Sequence, residues 1–289
     1  VGMCFVPETP RWLLSKGRLK ECRKVLQKIE PENTVNDLIG QMEVEIEKDR
    51  NSAVGWRYLM QPWLRTPLMI AVCIMFFQQF VGINTVIYYS PKIFLMAGFE
   101  STLSAIWASV GIGIVNVVFT VISLYLVDRI GRRKLYFIGL SGIAFSVLCL
   151  SACFIYANQL GEIGRWLMVI FMFGYVAFFA ISIGPLGWLV ISEIFPQKVR
   201  GLGTSIGSLA VWIFNCIVSF TFFKIIDFFS IPGTEIVVGQ TTSENPAGAF
   251  FLYGFIAVLG LVWGYLFLPE TKGLSLEEIE QKWRKNREC

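Results

Sequence analysis

The sequence predicts an all-α membrane protein built on six transmembrane helices, and three observations carry that prediction. The 289 residues are 55% hydrophobic and 16% charged, against about 25% charged in an ordinary soluble domain. Charge-free runs at 66–91, 101–127, 135–161, 166–192, 201–223 and 245–269 each exceed the ~20 apolar residues a helix needs to cross the hydrocarbon core. The positive charge is sided. Of 25 Lys and Arg, 22 fall in 1–65, 128–134, 197–200 and the segment after 269, which six spans put on one face, and Lys92, Arg165 and Lys224 fall on the other. The positive-inside rule then assigns both ends of the chain to the cytoplasm. Alternating β-barrel patterning is absent, and only helices satisfy their own backbone polar groups in lipid.

Each element has its own signal. Residues 1–7, VGMCFVP, read as the end of a preceding transmembrane helix, so the sequence is expected to be a fragment of a longer protein. Residues 8–65 read as a cytoplasmic helical linker, opened by Thr9 as an N-cap and Pro10 at the first helical position. Residues 66–269 form the six-helix bundle. Residues 270–289 read as a cytoplasmic tail helix, with Ser275-Leu-Glu-Glu278 as its capping box. VPETPR at 6–11 and LPETKG at 268–273 share one punctuation. Each ends a span and begins a surface helix, as though the chain twice leaves the sixth helix of a six-helix unit.

Polar groups in hydrocarbon are costly and need individual readings. The first span carries FFQQFVGINTVIYYSP, residues 76–91, with Gln78, Gln79, Asn84, Tyr88 and Tyr89. On an ideal helix Gln78 and Asn84 sit well apart, and Gly82 offers the bend that would let them converge. A lone Gln would read as glue between helices; this cluster reads as a ligand site. The fourth span contains FFAISIGPLGWLVISEIFP, residues 178–196, and is interrupted near its middle by Gly184-Pro185 and Gly187, with Trp188 following. Interrupted segments at corresponding positions of two three-helix groups point to a central binding site in a transporter. Asn116 sits mid-membrane in the second span. In the fifth, Ser205, Ser208, Trp212, Asn215 and Ser219 share one helical face, while Gly201, Gly203 and Gly207 read as close-packing positions.

These groups narrow the function. Uncharged amides supply donors and acceptors together, which suits neutral hydroxyls, and aromatic faces suit the C–H surface of a sugar ring. The spans carry no central charge for an ionic guest. The sequence has no His, and its seven Cys (Cys4, Cys22, Cys73, Cys149, Cys153, Cys216 and Cys289) form no CxxC pair, so no metal, redox centre or other cofactor is expected. Nucleic acid is not an expected partner. An embedded enzyme would need catalytic acids or His near a cavity, whereas the nearest acids, Asp128 and Glu193, stand at the cytoplasmic edge; no enzyme is expected.

PETPR (7–11), QQFVGIN (78–84), DRIGRR (128–133), GPLGW with SEIFP and Arg200 (184–200), and PETKG (269–273), in this order and spacing, resemble the signatures of the sugar porter family of the major facilitator superfamily. The resemblance covers essentially the whole chain and is similar in flavour to bacterial xylose/proton symporters, glucose facilitators and proton/myo-inositol cotransporters. It implies twelve helices in two six-helix halves, with this chain supplying the C-terminal half, the N-terminal half missing from it, and alternating access around one site. It implies that Gln78, Gln79 and Asn84 contact the sugar, and that Tyr88, Asn116, Phe179, Gly184, Trp188, Trp212 and Asn215 occupy other pocket positions. Val211 stands where several hexose and pentose carriers have Gln or Asn, which leaves inositol or another polyol open. The resemblance also implies a cytoplasmic charge lock of Glu8, Asp128, Arg132, Arg133, Glu193 and Arg200, while Lys134 and Lys198 read as positive-inside charge alone.

The expected function is secondary transport of a neutral monosaccharide or polyol, proton-coupled or passive, with any proton-carrying carboxylate in the absent half. The rivals are a transport-inactive sugar sensor and a truncated half-transporter. Short outward loops without an N-x-Ser/Thr sequon point to a bacterial inner membrane, with a plasma membrane as the alternative.

Overall fold

The computed structural model of the protein describes residues 7–51, 56–99, 101–229, 236–238, 241–273, 278 and 283. The stub at 1–6 and most of the expected tail helix, with Ser275 of its capping box, lie outside the described residues. The chain divides into two compact units, Val1–Tyr58 and Leu59–Cys289.

The first unit holds α1 (Pro10–Ser15), α2 (Leu19–Leu26) and α3 (Glu32–Asn51). Thr9 caps α1 by accepting the Trp12 N–H at 3.4 Å, with Pro10 at the first position. In α2 the apolar positions gather on one face, so Cys22 and Leu26 are buried with Leu13, Val35 and Ile39 in a small core. Arg18 donates two hydrogen bonds to Glu21, at 2.8 and 2.7 Å. They hold the Glu21 carboxyl below its usual range.

The short helix α4 (Trp56–Leu59) and a 3-10 turn at Pro62–Leu64 lead into eight further helices that make six membrane spans. The first span is α5 (Arg65–Phe80) followed by α6 (Ile83–Met96). The second is α7 (Thr102–Ile130) and the third α8 (Arg132–Ile155). The fourth is α9 (Ala157–Ile181) followed by α10 (Ile183–Ile194). The fifth is α11 (Arg200–Phe228) and the sixth α12 (Ala247–Phe267).

The charge-free runs locate these helices but misplace some ends. α7 runs past Asp128 and Arg129, and α11 past Lys224 and Asp227, because helix ends in the interfacial region keep their charged heads in water. The third span stops at Ile155, not 161, because the backbone leaves the helix at Tyr156 (φ −96°, ψ 16°); Ala157 begins α9, which is itself kinked at Gly161 (φ 53°). A two-stranded hairpin, β1 (Ile236–Val238) with β2 (Thr241–Ser243), pairs antiparallel in the loop before α12. It is the one addition to the all-α expectation among the described residues.

α5, α6 and α8 form the inside of the bundle, whereas α7 turns most of its side chains outward. α8 packs on α9 and α12. Their contacts are stitched by buried hydroxyls and an amide, as expected where no hydrophobic effect drives helix association. Tyr136 donates to the Gly260 carbonyl at 2.9 Å, Ser151 to that of Ala247 at 2.7 Å, and Asn245 to that of Phe154 at 2.9 Å. Gly203 packs under Phe195 and Gly207 under Ile191, but Gly201 has nothing within 4 Å of its Cβ direction and is no packing position.

Candidate functional site

Two helix breaks build the site. In the first span the α-helix stops at Phe80, and Gly82 takes φ 87° before α6 begins. The turn brings side chains from both pieces together. The Asn84 side-chain amide donates to the Gln79 side-chain oxygen, and the Gln79 amide donates to the Gln78 side-chain oxygen at 3.2 Å. The convergence that an unbroken helix forbids is therefore achieved. The Val81 carbonyl freed by the break accepts the Tyr175 hydroxyl at 2.8 Å.

The second break is at Ser182 (φ −126°, ψ −103°), two residues before Gly184-Pro185. The reason is local. Pro185 has no N–H for the Ile181 carbonyl four residues earlier and its ring would clash with it, so the turn fails at 181–182 and Pro185 falls in the first turn of α10. The Ile181 carbonyl accepts the Ser123 hydroxyl of α7 at 2.9 Å. The Gln78 amide of α5 donates to the carbonyls of Ile183 at 3.1 Å and Gly184 at 2.7 Å.

Between the breaks lies a cavity of ≈ 420 Å³. All ten expected pocket residues line it: Gln78, Gln79, Asn84, Tyr88, Asn116, Phe179, Gly184, Trp188, Trp212 and Asn215. Gln78 and Gln79 are buried, while Tyr88, Trp188 and Trp212 are 54%, 46% and 66% exposed. The wall is thus a polar floor beneath an open aromatic rim. Asn215 donates to the Tyr88 hydroxyl at 3.3 Å and accepts from Ser219 at 3.0 Å. Thr120 donates to the Asn116 backbone carbonyl at 2.7 Å and to its side-chain oxygen at 3.3 Å, and the Asn116 amide N–H groups have no partner among the described residues. The Asn84 side-chain oxygen and one Gln79 N–H are also uncommitted among the described residues. The lining contains no Asp, Glu, Lys or Arg.

Sequence reasoning passed over Ile83, Thr120, Ala180 and Pro185 as lining residues. Thr120 was findable, standing one turn from Asn116 on the same face. Of the polar stripe on α11, Trp212 and Asn215 line the cavity, whereas Ser205 and Ser208 donate to the Gly201 and Thr204 carbonyls of their own helix, at 2.7 and 2.9 Å, and do not. Hydroxyls in helices satisfy themselves this way without a ligand.

The charges named for a lock fall in different places. Arg132 donates to Glu193 at 2.9 Å and lies 3.4 Å from Asp128. Glu193 also accepts the Thr271 hydroxyl. Arg133 instead donates to the Tyr265 carbonyl at 2.8 Å. The Nε and Nη2 atoms of Arg200 are buried without a hydrogen bond among the described residues. Glu8 is an exposed residue of the first unit. Glu270, not singled out from the sequence, accepts the backbone N–H groups of Arg132 and Arg133 at 3.1 and 3.2 Å. It caps α8, where a carboxylate complements the positive end of the helix. Its place in the repeated Pro-Glu-Thr was the available signal.

A family model described as "Sugar (and other) transporter" matches residues 1–283. A D-xylose-proton symporter of Escherichia coli K12 is 34% identical over 278 residues, covering 96% of this chain and 53% of that protein. A probable polyol transporter 3 of Arabidopsis thaliana is 33% identical over 301 residues, covering 97% and 56%. The inward-open structure of the xylose transporter XylE from E. coli matches with a TM-score of 0.72 at 29% identity, covering 96% of this chain and 52% of that one. The chain spans 51–59% of the length of the curated relatives it matches.

Proposed function

The chain belongs to the sugar transporter family of the major facilitator superfamily, and from that premise we propose that it supplies half of the substrate cavity of a secondary transporter for a neutral monosaccharide or polyol. One observation carries the proposal: a ≈ 420 Å³ cavity, within the usual range for small-molecule sites, lined by uncharged amides and indoles at the breaks of two spans. Each uncommitted amide group offers a hydrogen bond to a hydroxyl, and Trp188 and Trp212 offer flat apolar faces. An ionic substrate would leave its charge unpaired against this wall, at a cost of several kcal/mol or more.

The named relatives fit this reading, since one is a D-xylose-proton symporter and another a probable polyol transporter. Val211 adds a buried apolar patch to the wall, which accommodates a guest with an unhydroxylated edge as readily as a hexose. In proton-coupled transport the titrating carboxylate comes from outside this lining. Arg132, Glu193 and Asp128 would act as a cytoplasmic lock whose ion pairs hold one conformation. The membrane-embedded six-helix bundle is oriented, in this proposal, with its basic loops in the cytoplasm.

The test is uptake by the full-length protein of glucose, xylose, galactose and myo-inositol, native against Gln79→Ala. Losing one or two neutral hydrogen bonds of about 1 kcal/mol each predicts substrate affinity about 5- to 30-fold weaker with normal membrane insertion. Unchanged affinity in Gln79→Ala for the transported compound would remove the cavity from the mechanism.

A further inference from the structure

We propose that Tyr253 is a positioning residue for the break in the first span: its hydroxyl, idle in this structure, takes over the Val81 carbonyl from Tyr175 when α6 pivots at Gly82. That α6 pivots at all follows from the transporter reading, on which this proposal rests; the surplus donor stands on geometry alone.

Ending α5 at Phe80 takes the Val81 carbonyl out of the helical ladder, since α6 starts again only at Ile83. In hydrocarbon such a carbonyl needs another donor. Three buried hydroxyls crowd the break, each from a different helix: Thr85 of α6, Tyr175 of α9 and Tyr253 of α12, at 0%, 0% and 2% exposed. Two of them are employed. Tyr175 donates to the Val81 carbonyl at 2.8 Å, and Thr85 to that of Gly82 at 2.7 Å. The Tyr253 hydroxyl has no hydrogen-bond partner among the described residues. The Thr85 and Tyr175 hydroxyls are its neighbours, but both have given their protons to the break, and neither completes a bond with it.

A buried hydroxyl without a partner is costly, and phenylalanine would supply the same ring without that cost. The ring alone does the packing: it closes over Gly82, whose Cβ direction ends 2.3 Å from its atoms. The hydroxyl therefore needs its own reason. The two bonds at the break respond differently to a pivot. Thr85 and Gly82 are three residues apart in one stretch of chain and move together. Tyr175 reaches Val81 from another helix, so a pivot of α6 stretches that bond first. The released carbonyl then needs a new donor, and of the three hydroxyls only that of Tyr253 is unspent. Handing the carbonyl over keeps it satisfied in both arrangements, which holds the two close in free energy so that neither traps the helix.

Fluorine NMR of the full-length protein in detergent reads the balance. The tag is a trifluoromethyl group on Lys92→Cys, an exposed position towards the outer end of α6, in a Cys216→Ser background. Two signals are expected, one for each arrangement. Tyr175→Phe removes a bond of the present arrangement and Tyr253→Phe a bond of the other. The signal ratio should therefore move about fivefold in each variant, and in opposite directions, one net hydrogen bond apiece. Thermal unfolding supplies the second readout: Tyr175→Phe should unfold at a lower temperature, while Tyr253→Phe, which loses only an unpaired hydroxyl here, should match the native protein or exceed it. An unmoved ratio in Tyr253→Phe, or a shift in the same direction as Tyr175→Phe, overturns the handover. So does a lower unfolding temperature of Tyr253→Phe at an unmoved ratio, which would assign the hydroxyl to a buried water. A single native signal that glucose, xylose, galactose and myo-inositol all leave in place would refute the two arrangements, and the transporter reading with them. Two native signals with an unmoved ratio in Tyr253→Phe would leave that reading standing and remove the handover alone.

Discussion

Gly82→Ala is expected to destabilise the membrane bundle by about 2–5 kcal/mol, seen as a fall in thermal unfolding temperature on the order of 10 °C. Two costs combine. The backbone at 82 sits at φ 87°, where an L-residue with a Cβ pays roughly 1–2 kcal/mol. The new methyl would also overlap the ring of Tyr253. That ring is 2% exposed and packs edge-on against Phe250 at 6.4 Å, so it has nowhere to move, and overpacking of this kind costs about 1–3 kcal/mol more. The two terms separate in a double-mutant cycle. Gly82→Ala with Tyr253→Leu should lose the overlap and keep the backbone strain, recovering part of the unfolding temperature relative to the sum of the single changes. Gly113→Ala is the control, with a helical backbone and nothing within 4 Å of its Cβ direction; it should leave the unfolding temperature unchanged or raise it by about 1–4 °C. Equal behaviour of Gly82→Ala and Gly113→Ala would mean that the break in the first span is not held by this glycine.

The same residue shows how far the sequence could be read. Six spans follow from hydrophobic length and charge placement because the bilayer is an unforgiving solvent. The break at Gly82 was legible since glycine between two amide-bearing turns has few other uses. The break in the fourth span was legible only to within two residues. Its visible cause is Gly184-Pro185, but the strain falls four residues before the proline, on the carbonyl that loses its donor, and so the chain opens at Ser182. Side-chain partners were harder. Both amides of QQ line the cavity, but nothing in the pair tells that Gln78 also bonds α10, because that depends on a carbonyl supplied 105 residues later. Ser205 and Ser208 shared a face with Asn215 yet bond their own helix, since a hydroxyl reaches the preceding turn and an amide does not. The charges were found by residue type, but their pairing was not. Arg133 and Glu270 end on backbone groups, which carry no signature in a sequence.

Arg132→Ala is expected to shift the conformational balance of the proposed transporter about 30-fold. The guanidinium is 13% exposed and the Glu193 carboxylate 20%, so the pair is partly shielded from water and worth more than a surface ion pair. Removing one member leaves Glu193 with the Thr271 hydroxyl alone, and losing a charged hydrogen bond of about 2 kcal/mol corresponds to that factor. A lock matters only if the pair exists in one state and not in the other. The measurement is therefore accessibility, not stability: labelling of Val211→Cys, in a Cys216→Ser background, by an impermeant thiol reagent applied from the cytoplasmic side. Faster labelling is expected on adding Arg132→Ala, and nearly the same rate on adding Glu193→Gln. Both changes together should add little to either alone, because they open one contact. Lys134→Ala, which removes an exposed positive charge two residues away, should leave the rate unaltered. If Lys134→Ala accelerated labelling as much as Arg132→Ala, the effect would belong to net charge at the membrane surface and the pair would be only structural. If the two lock changes added fully, Arg132 and Glu193 would be acting on different contacts, and the tie between the charge cluster and the end of α10 would be lost with them.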